Sequence, residues 1–181
     1  MKTYLRSIVT FFMLIASINS FASSLAEDAS NRGVSEVCSN YLSQIEQSYG
    51  LKGLNITFAH PENSLDFPSL HISTQKYNNG SSSFSATLTP DGEYCYLSTV
   101  QVTSINDQSC SEITKIKVDS DPNLKVTIYA DGNFTILTPL DESFQVILTS
   151  SGDKSCTMTE TRMMWPGKYF EQSKKIVSKY I

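Results

Sequence analysis

The sequence has few of the residues and motifs on which most catalytic and nucleic-acid-binding sites depend. It has two histidines, and it contains no GxSxG, no HExxH, no phosphate-binding glycine loop and no glycine-rich dinucleotide fingerprint. Its 18 acidic residues outnumber its 14 basic ones, whereas a phosphate backbone is bound by a basic face. We therefore expect a protein that is not an enzyme and whose main partner is not a nucleic acid.

The chain also lacks an apolar run that could cross a bilayer. Its clearest run, residues 8–16, is well short of the roughly 20 residues required. Lys2 and Arg6 precede this run and Ser20-Phe21-Ala22 follows it, which is the layout of a secretory signal peptide. We expect residues 1–22 to be removed and residues 23–181 to form a single exported domain without stable membrane insertion; the alternative is an uncleaved membrane anchor.

The four cysteines form no CxxC, and neither histidine is close to one in sequence. Zinc sites built from cysteine usually show such spacing, so we expect no metal and no cofactor. An even number of cysteines in an exported chain indicates disulfides. Cys38, Cys95, Cys110 and Cys156 are therefore predicted to form two bridges.

Two segments show the period of amphipathic helices. In residues 34–49 the apolar stripe has i, i+3, i+4 spacing, and Gly50 follows as the expected terminator. Residues 167–181 carry a second stripe, with lysines on the opposite side. The first stripe consists of Val34, Val37, Cys38, Tyr41, Leu42, Ile45 and Tyr49; the second consists of Tyr169, Phe170, Ser173, Ile176, Val177, Tyr180 and Ile181.

Between these segments the period of the apolar residues is two, which is typical of half-buried strands. The predicted strands are 70–77, 84–89, 94–103, 113–118, 124–130, 134–138, 144–149 and 156–159, and residues 55–59 add a short one. If each connecting loop has an odd number of residues, even positions pair with even positions. The even positions are mostly apolar, so they are predicted to form the buried face and to include Ile128.

Eight strands at about 4.8 Å spacing give a sheet close to 40 Å wide. Because two helices cannot cover an apolar face of that width, the predicted fold is mainly β. It is an eight-stranded antiparallel up-and-down meander, closed as a barrel or a flattened sandwich, with one N-terminal and one C-terminal helix. The alternative is a strongly curved, half-open sheet wrapped around the N-terminal helix. The two halves of the meander are too dissimilar in sequence to indicate a repeat.

The disulfide pairs follow from the same alternation. Cys95 and Cys110 fall on opposite faces and most of a strand apart, too far for a bridge. The favoured pairs are Cys110–Cys156 across the interior and Cys38–Cys95, which fastens the first helix to the outer surface. Cys38–Cys110 with Cys95–Cys156 is the rival, and it suits the half-open sheet.

Two stretches are candidate binding elements. The loop around Leu65 and Phe67 is long enough for recognition, although Phe67 could simply pack under the rim of the sheet. Met163, Met164 and Trp165 precede the predicted lysine-rich amphipathic helix at residues 167–181. This segment could bind a partner or a membrane surface, or only close the end of the fold.

These features favour an exported, soluble, non-enzymatic binding module. Its predicted partner is an unidentified protein, and an inhibitor or neutraliser of a secreted or envelope protein fits the pattern. The alternative is a small lipocalin-like carrier of an apolar molecule, since eight-stranded barrels sometimes hold a ligand. The destination is periplasmic or extracellular.

Overall fold

The computed structural model describes residues 23–130 and 133–164. In these residues one sheet of eight antiparallel strands is combined with three helices. The helices are α1 (Leu25–Asn31), α2 (Glu36–Tyr49) and α3 (Cys110–Ser120). The strands are β1 (Leu54–Phe58), β2 (Ser69–Tyr77), β3 (Gly80–Asp91), β4 (Tyr94–Asn106), β5 (Lys125–Tyr129), β6 (Phe134–Thr138), β7 (Phe144–Ser150) and β8 (Ser155–Met164). The predicted signal peptide and C-terminal helix lie outside the described residues.

The strands are ordered β1-β2-β3-β4-β8-β7-β6-β5. Two meanders, β1–β4 and β5–β8, therefore meet where β4 pairs with β8. The predicted mainly β, antiparallel class is confirmed, and the half-open form describes the sheet. The predicted barrel is wrong, because β1 and β5 lie at opposite edges and the sheet does not close.

Both halves contain a disulfide-linked helix followed by a four-stranded meander, although their sequences did not indicate a repeat. In each half a serine-capped helix precedes the meander: Ser35 caps α2 and Ser109 caps α3. In each half a disulfide joins the first turn of that helix to the second residue of the fourth strand. The bridges are Cys38–Cys95 and Cys110–Cys156, with Cα atoms 5.3 and 5.0 Å apart.

These pairs are the ones favoured from the sequence, but their setting differs from the prediction. Cys95 and its neighbour Leu97 are buried, so α2 is fastened to the covered face of the sheet and not to an outer surface. Cys110 begins a helix and not a strand. The bridge Cys110–Cys156 therefore holds α3 on the sheet.

We call the side of the sheet covered by the helices the inner face and the opposite side the outer face. The inner face carries two clusters of buried side chains, one in each half. The first includes Leu25, Leu42, Ile45, Phe84, Ala86, Leu88 and Leu97; the second includes Ile113, Leu137, Val146 and Leu148. The two disulfides belong to these clusters, one to each.

In β5 the even positions face the inner side, as predicted, but they are exposed. The prediction that even positions are buried holds in β3, β7 and β8 and is wrong in β2, β4 and β6. The cause is loop length. Tyr77 pairs with Gly80, and Asp91 pairs with Tyr94, so both hairpins have two-residue loops and pair odd with even positions. Buried Ala86 consequently pairs with buried His71 on one side and buried Thr99 on the other.

The outer face of the central strands is polar, and this explains why an open sheet of this width needs no second layer on that side. Its residues in β3, β4 and β8 are mostly hydroxylated, with the apolar exceptions Val100, Val102 and Met163. The hydroxylated positions are Ser81, Ser83, Ser85, Thr87, Ser98, Ser104, Thr157, Thr159 and Thr161.

The helix at residues 34–49 is confirmed as α2, which ends at Gly50 with φ +60°. The predicted strand at residues 113–118 is wrong, because these residues belong to α3. A capping box starts this helix: Glu112 N–H donates to Ser109 Oγ, and Ser109 N–H donates to the Glu112 carboxylate at 2.7 Å. The predicted short strand near residue 55 is present as β1, which supplies the eighth strand.

Candidate functional site

A row of exposed apolar side chains lies on the outer face of β1 and β2, at one edge of the sheet. We name Leu54, Ile56, Phe58 and Leu70 the β1 edge patch. Leu54 is 63% and Phe58 57% exposed. Phe58 pairs with Leu70, and the next outward residue of β1, Ile56, pairs with Ile72, so the side chains form a continuous apolar strip.

Edge strand β1 shows the reverse of the usual burial pattern. Its polar residue Thr57 is on the inner face and is buried, whereas its large apolar side chains face outward. Single exposed apolar residues are normal on proteins, but a contiguous patch marks an interaction surface. Since β1 pairs with β2 on one side only, its other edge is a site where a further strand could add.

The predicted recognition residues lie in the loop that connects β1 to β2. Leu65 and Phe67 are both exposed. The ring of Phe67 stacks on His60 with centroids 4.7 Å apart, so Phe67 does not pack under a rim. The loop begins after Phe58 and ends before Ser69, so it leaves the sheet at the Phe58–Leu70 end of the β1 edge patch.

Hydrogen bonds support the first part of this loop. The His60 Nδ1 accepts from the backbone N–H groups of Glu62 and Asn63 at 3.3 and 3.0 Å. Ser64 Oγ donates to the carbonyl of Gly33 at 2.8 Å, which ties the loop to the connection between α1 and α2. A pre-formed loop loses less conformational entropy when it binds a partner.

A serine–histidine pair lies under α1, on the inner face of β2. His71 Nε2 is 2.8 Å from Ser69 Oγ, and His71 Nδ1 is 3.1 Å from Thr57 Oγ1. All three side chains are buried, and burial lowers the pKa of His71 to about 4. The predicted burial of even positions implies that His71, an odd position, faces solvent. This is wrong, since the two-residue hairpin loop turns His71 inward. Ser69 is 3% exposed and His71 is fully buried, so the pair is a buried hydrogen-bonded unit.

A polar seam separates the two apolar clusters where β8 meets α2. Arg162 Nε donates to Glu160 Oε1 at 2.8 Å, and the Tyr49 hydroxyl lies 3.5 Å from the same oxygen. The Arg162 guanidinium also stacks on the Phe144 ring, 4.6 Å from its centroid. Burial raises the pKa of the Tyr49 phenol. The seam neutralises its own charges and connects the halves of the sheet.

Other kinds of site are not apparent in the part of the chain that the structure describes. Residues 23–130 and 133–164 contain no group of three histidine, cysteine or acidic side chains that could hold a metal. None of the helices in these ranges is long and apolar enough to span a bilayer. A depression of about 760 Å³ at the β2–β3 hairpin is lined largely by polar residues, among them Thr74, Gln75, Ser81 and Ser83.

Comparisons of the chain with protein-family models, with curated proteins and with solved structures find no match. The site is therefore assigned from its own geometry. Leu65 and Phe67 are exposed in the loop that joins β1 to β2, and Trp165 lies outside the described residues. Sequence reasoning missed the patch because alternating Leu54, Ile56 and Phe58 look like the buried face of a strand.

Proposed function

We propose that this protein is an exported, non-enzymatic protein-binding module whose recognition surface is the β1 edge patch with Leu65 and Phe67. One observation carries the proposal: large apolar side chains are concentrated on the outer face of an edge strand whose buried residue, Thr57, is polar. The exposed apolar side chains of such a strand would be removed from water only when a partner binds.

The expected partner is an extended segment of a secreted or envelope protein. An added strand would take main-chain hydrogen bonds from the free edge of β1, and its alternate apolar side chains would contact Ile56 and Phe58. The rigid β1–β2 loop would set the register through Leu65 and Phe67. An inhibitor or neutraliser of an exported protein works in this way when the captured segment belongs to a functional region.

The compartment is consistent with this role. Two disulfides indicate an oxidising, exported environment, and we place the module in the periplasm or outside the cell. The carrier alternative depended on a closed barrel interior. Since the sheet is open, no observation favours that alternative, and the burial of Ser69 and His71 supports a non-enzymatic role.

Site-specific photocrosslinking in the protein's own host tests the proposal. A benzophenone amino acid replaces Phe58 in one variant and Tyr129 in the other. These aromatic residues are matched in exposure, 57% and 53%, and both lie on outer-face edges, but at opposite ends of the sheet. We expect a discrete adduct with one exported protein from position 58 and none from position 129. Equal adducts from both positions, adducts only with a second copy of this chain, or none from position 58 would overturn the proposal.

A further inference from the structure

Among residues 23–130 and 133–164, the second half of the fold shows no counterpart of α1. In the first half α2 packs on β3 and β4, and α1 packs on β1 and β2. In the second half α3 packs on β6, β7 and β8. Edge strand β5, which corresponds to β1 in the sheet order, has no helix over its inner face among the described residues.

The consequence is an exposed apolar strip on the inner face. Val126 pairs with buried Leu137, and Ile128 pairs with buried Thr135, so both face the same side as α3. Yet Val126 is 39% and Ile128 65% exposed. We name Val126 and Ile128 the β5 inner strip. Its equivalent in the first half, the inner face of β1, is buried under α1.

We propose that the C-terminal segment 167–181 docks on the β5 inner strip as the missing helix. The apolar stripe of this segment supplies the complementary surface, with Ile176 and Val177 near its middle. The segment follows the end of β8, and β8 lies three strands from β5. That separation is about 14 Å across the sheet, whereas a helix of this length extends over about 22 Å.

Charge favours the same occupant. Residues 165–181 contain four lysines and one glutamate, whereas residues 23–164 contain 8 basic and 17 acidic residues. Several of these acids lie at the end of the sheet where β8 finishes. Asp121 follows α3 just before β5, and Asp141 and Glu142 lie in the loop that leads into β7, whose first residue pairs with Arg162. The opposite net charges therefore attract the lysine-bearing segment to this part of the fold.

Hydrogen exchange of the full mature chain, with both disulfides intact, measures the docking directly. We expect the amides of residues 168–181 to exchange at least about tenfold more slowly than in an isolated peptide of the same sequence. Ile128→Asp should abolish this protection, whereas Thr127→Asp, on the outer face of the same strand, should preserve it. Conversely, Ile176→Gln should speed exchange in residues 126–129, and Lys175→Gln, on the opposite side of the predicted helix, should not.

Unchanged exchange in β3 and β4 controls for the integrity of the fold in every variant. Three results would overturn the proposal. In the first, the amides of residues 168–181 exchange in the monomer as fast as in the isolated peptide. In the second, their protection survives Ile128→Asp. In the third, their protection rises with protein concentration. The last would mean that a second copy of the chain covers the strip.

Discussion

Thr57 and Ile128 both lie on the inner face of an edge strand, yet the polar residue is buried and the apolar one is exposed. The difference follows from the helices above them. Thr57 is under α1 and has a hydrogen-bonding partner in His71, which removes the cost of burying its hydroxyl. Ile128 has no helix above it in the described chain.

The exposure of Ile128 changes the expected effect of a charge at this position. Leu137→Asp should prevent folding, because Leu137 is fully buried and an unpaired carboxylate there would cost about 4 kcal/mol or more. Ile128→Asp should leave a folded protein, contrary to what the strand alternation suggests. Far-ultraviolet circular dichroism and urea unfolding check both variants. Unfolding of Ile128→Asp would mean that the Ile128 side chain is less exposed than 65%.

His71 should make stability depend on pH. Its pKa is about 4 in the folded protein and 6.5 in its unperturbed state, so below pH 6.5 the unfolded chain gains a proton that the folded chain excludes. Stability is therefore lost as the pH falls from 6.5 towards 4. Between pH 7.5 and pH 5 the loss should be about 2 kcal/mol.

Urea unfolding at the two pH values measures this loss. His71→Gln should remove it, whatever its effect on stability at pH 7.5, and His60→Gln, in the exposed loop, should keep it. An unchanged pH dependence in His71→Gln would show that other groups cause the loss.

Among the elements, α3 shows how local signals compete. Residues 113–118 alternate like a strand, but Ser109 and Glu112 have the spacing of a capping box. The box and the Cys110–Cys156 bridge fix the first turn of the helix. The predicted strand at residues 113–118 did not take this helix-start signal into account.

Ser109→Ala should therefore destabilise the protein by about 1 kcal/mol. Lys115→Ala, at an exposed position within α3, should have almost no effect, because alanine is a good helix former. The midpoint of chemical unfolding checks both. If the two variants behave alike, the cap is not what holds the first turn.

The elements that the sequence predicted well depend on local patterns. The stripe that ends at Gly50 determines α2, and strong alternation determines most strands. The faces of the strands were harder to predict, since one residue of loop length exchanges the two faces. The loops at residues 78–79 and 92–93 have two residues each, and this placed His71 inside.

At the scale of the whole molecule, the pairing of β4 with β8 determines the architecture. No local pattern encodes it, because the paired strands are separated by α3 and three other strands, and β5 would have been the nearer neighbour. The pairing gives an open sheet with two exposed edges. The candidate site depends on the same pairing. Leu65 and Phe67 could be identified from the loop sequence, but the apolar patch that includes Ile56 and Phe58 requires β1 to be an edge strand.

The affinity of the captured partner for matched variants tests the central claim most directly. Once photocrosslinking identifies that partner, its dissociation constant can be measured for the wild-type protein, Phe58→Ser and Tyr129→Ser. We expect Phe58→Ser to weaken binding by about tenfold or more, equivalent to about 1.4 kcal/mol, and Tyr129→Ser to leave it unchanged. Equal affinity of wild type and Phe58→Ser would contradict recognition through the β1 edge patch.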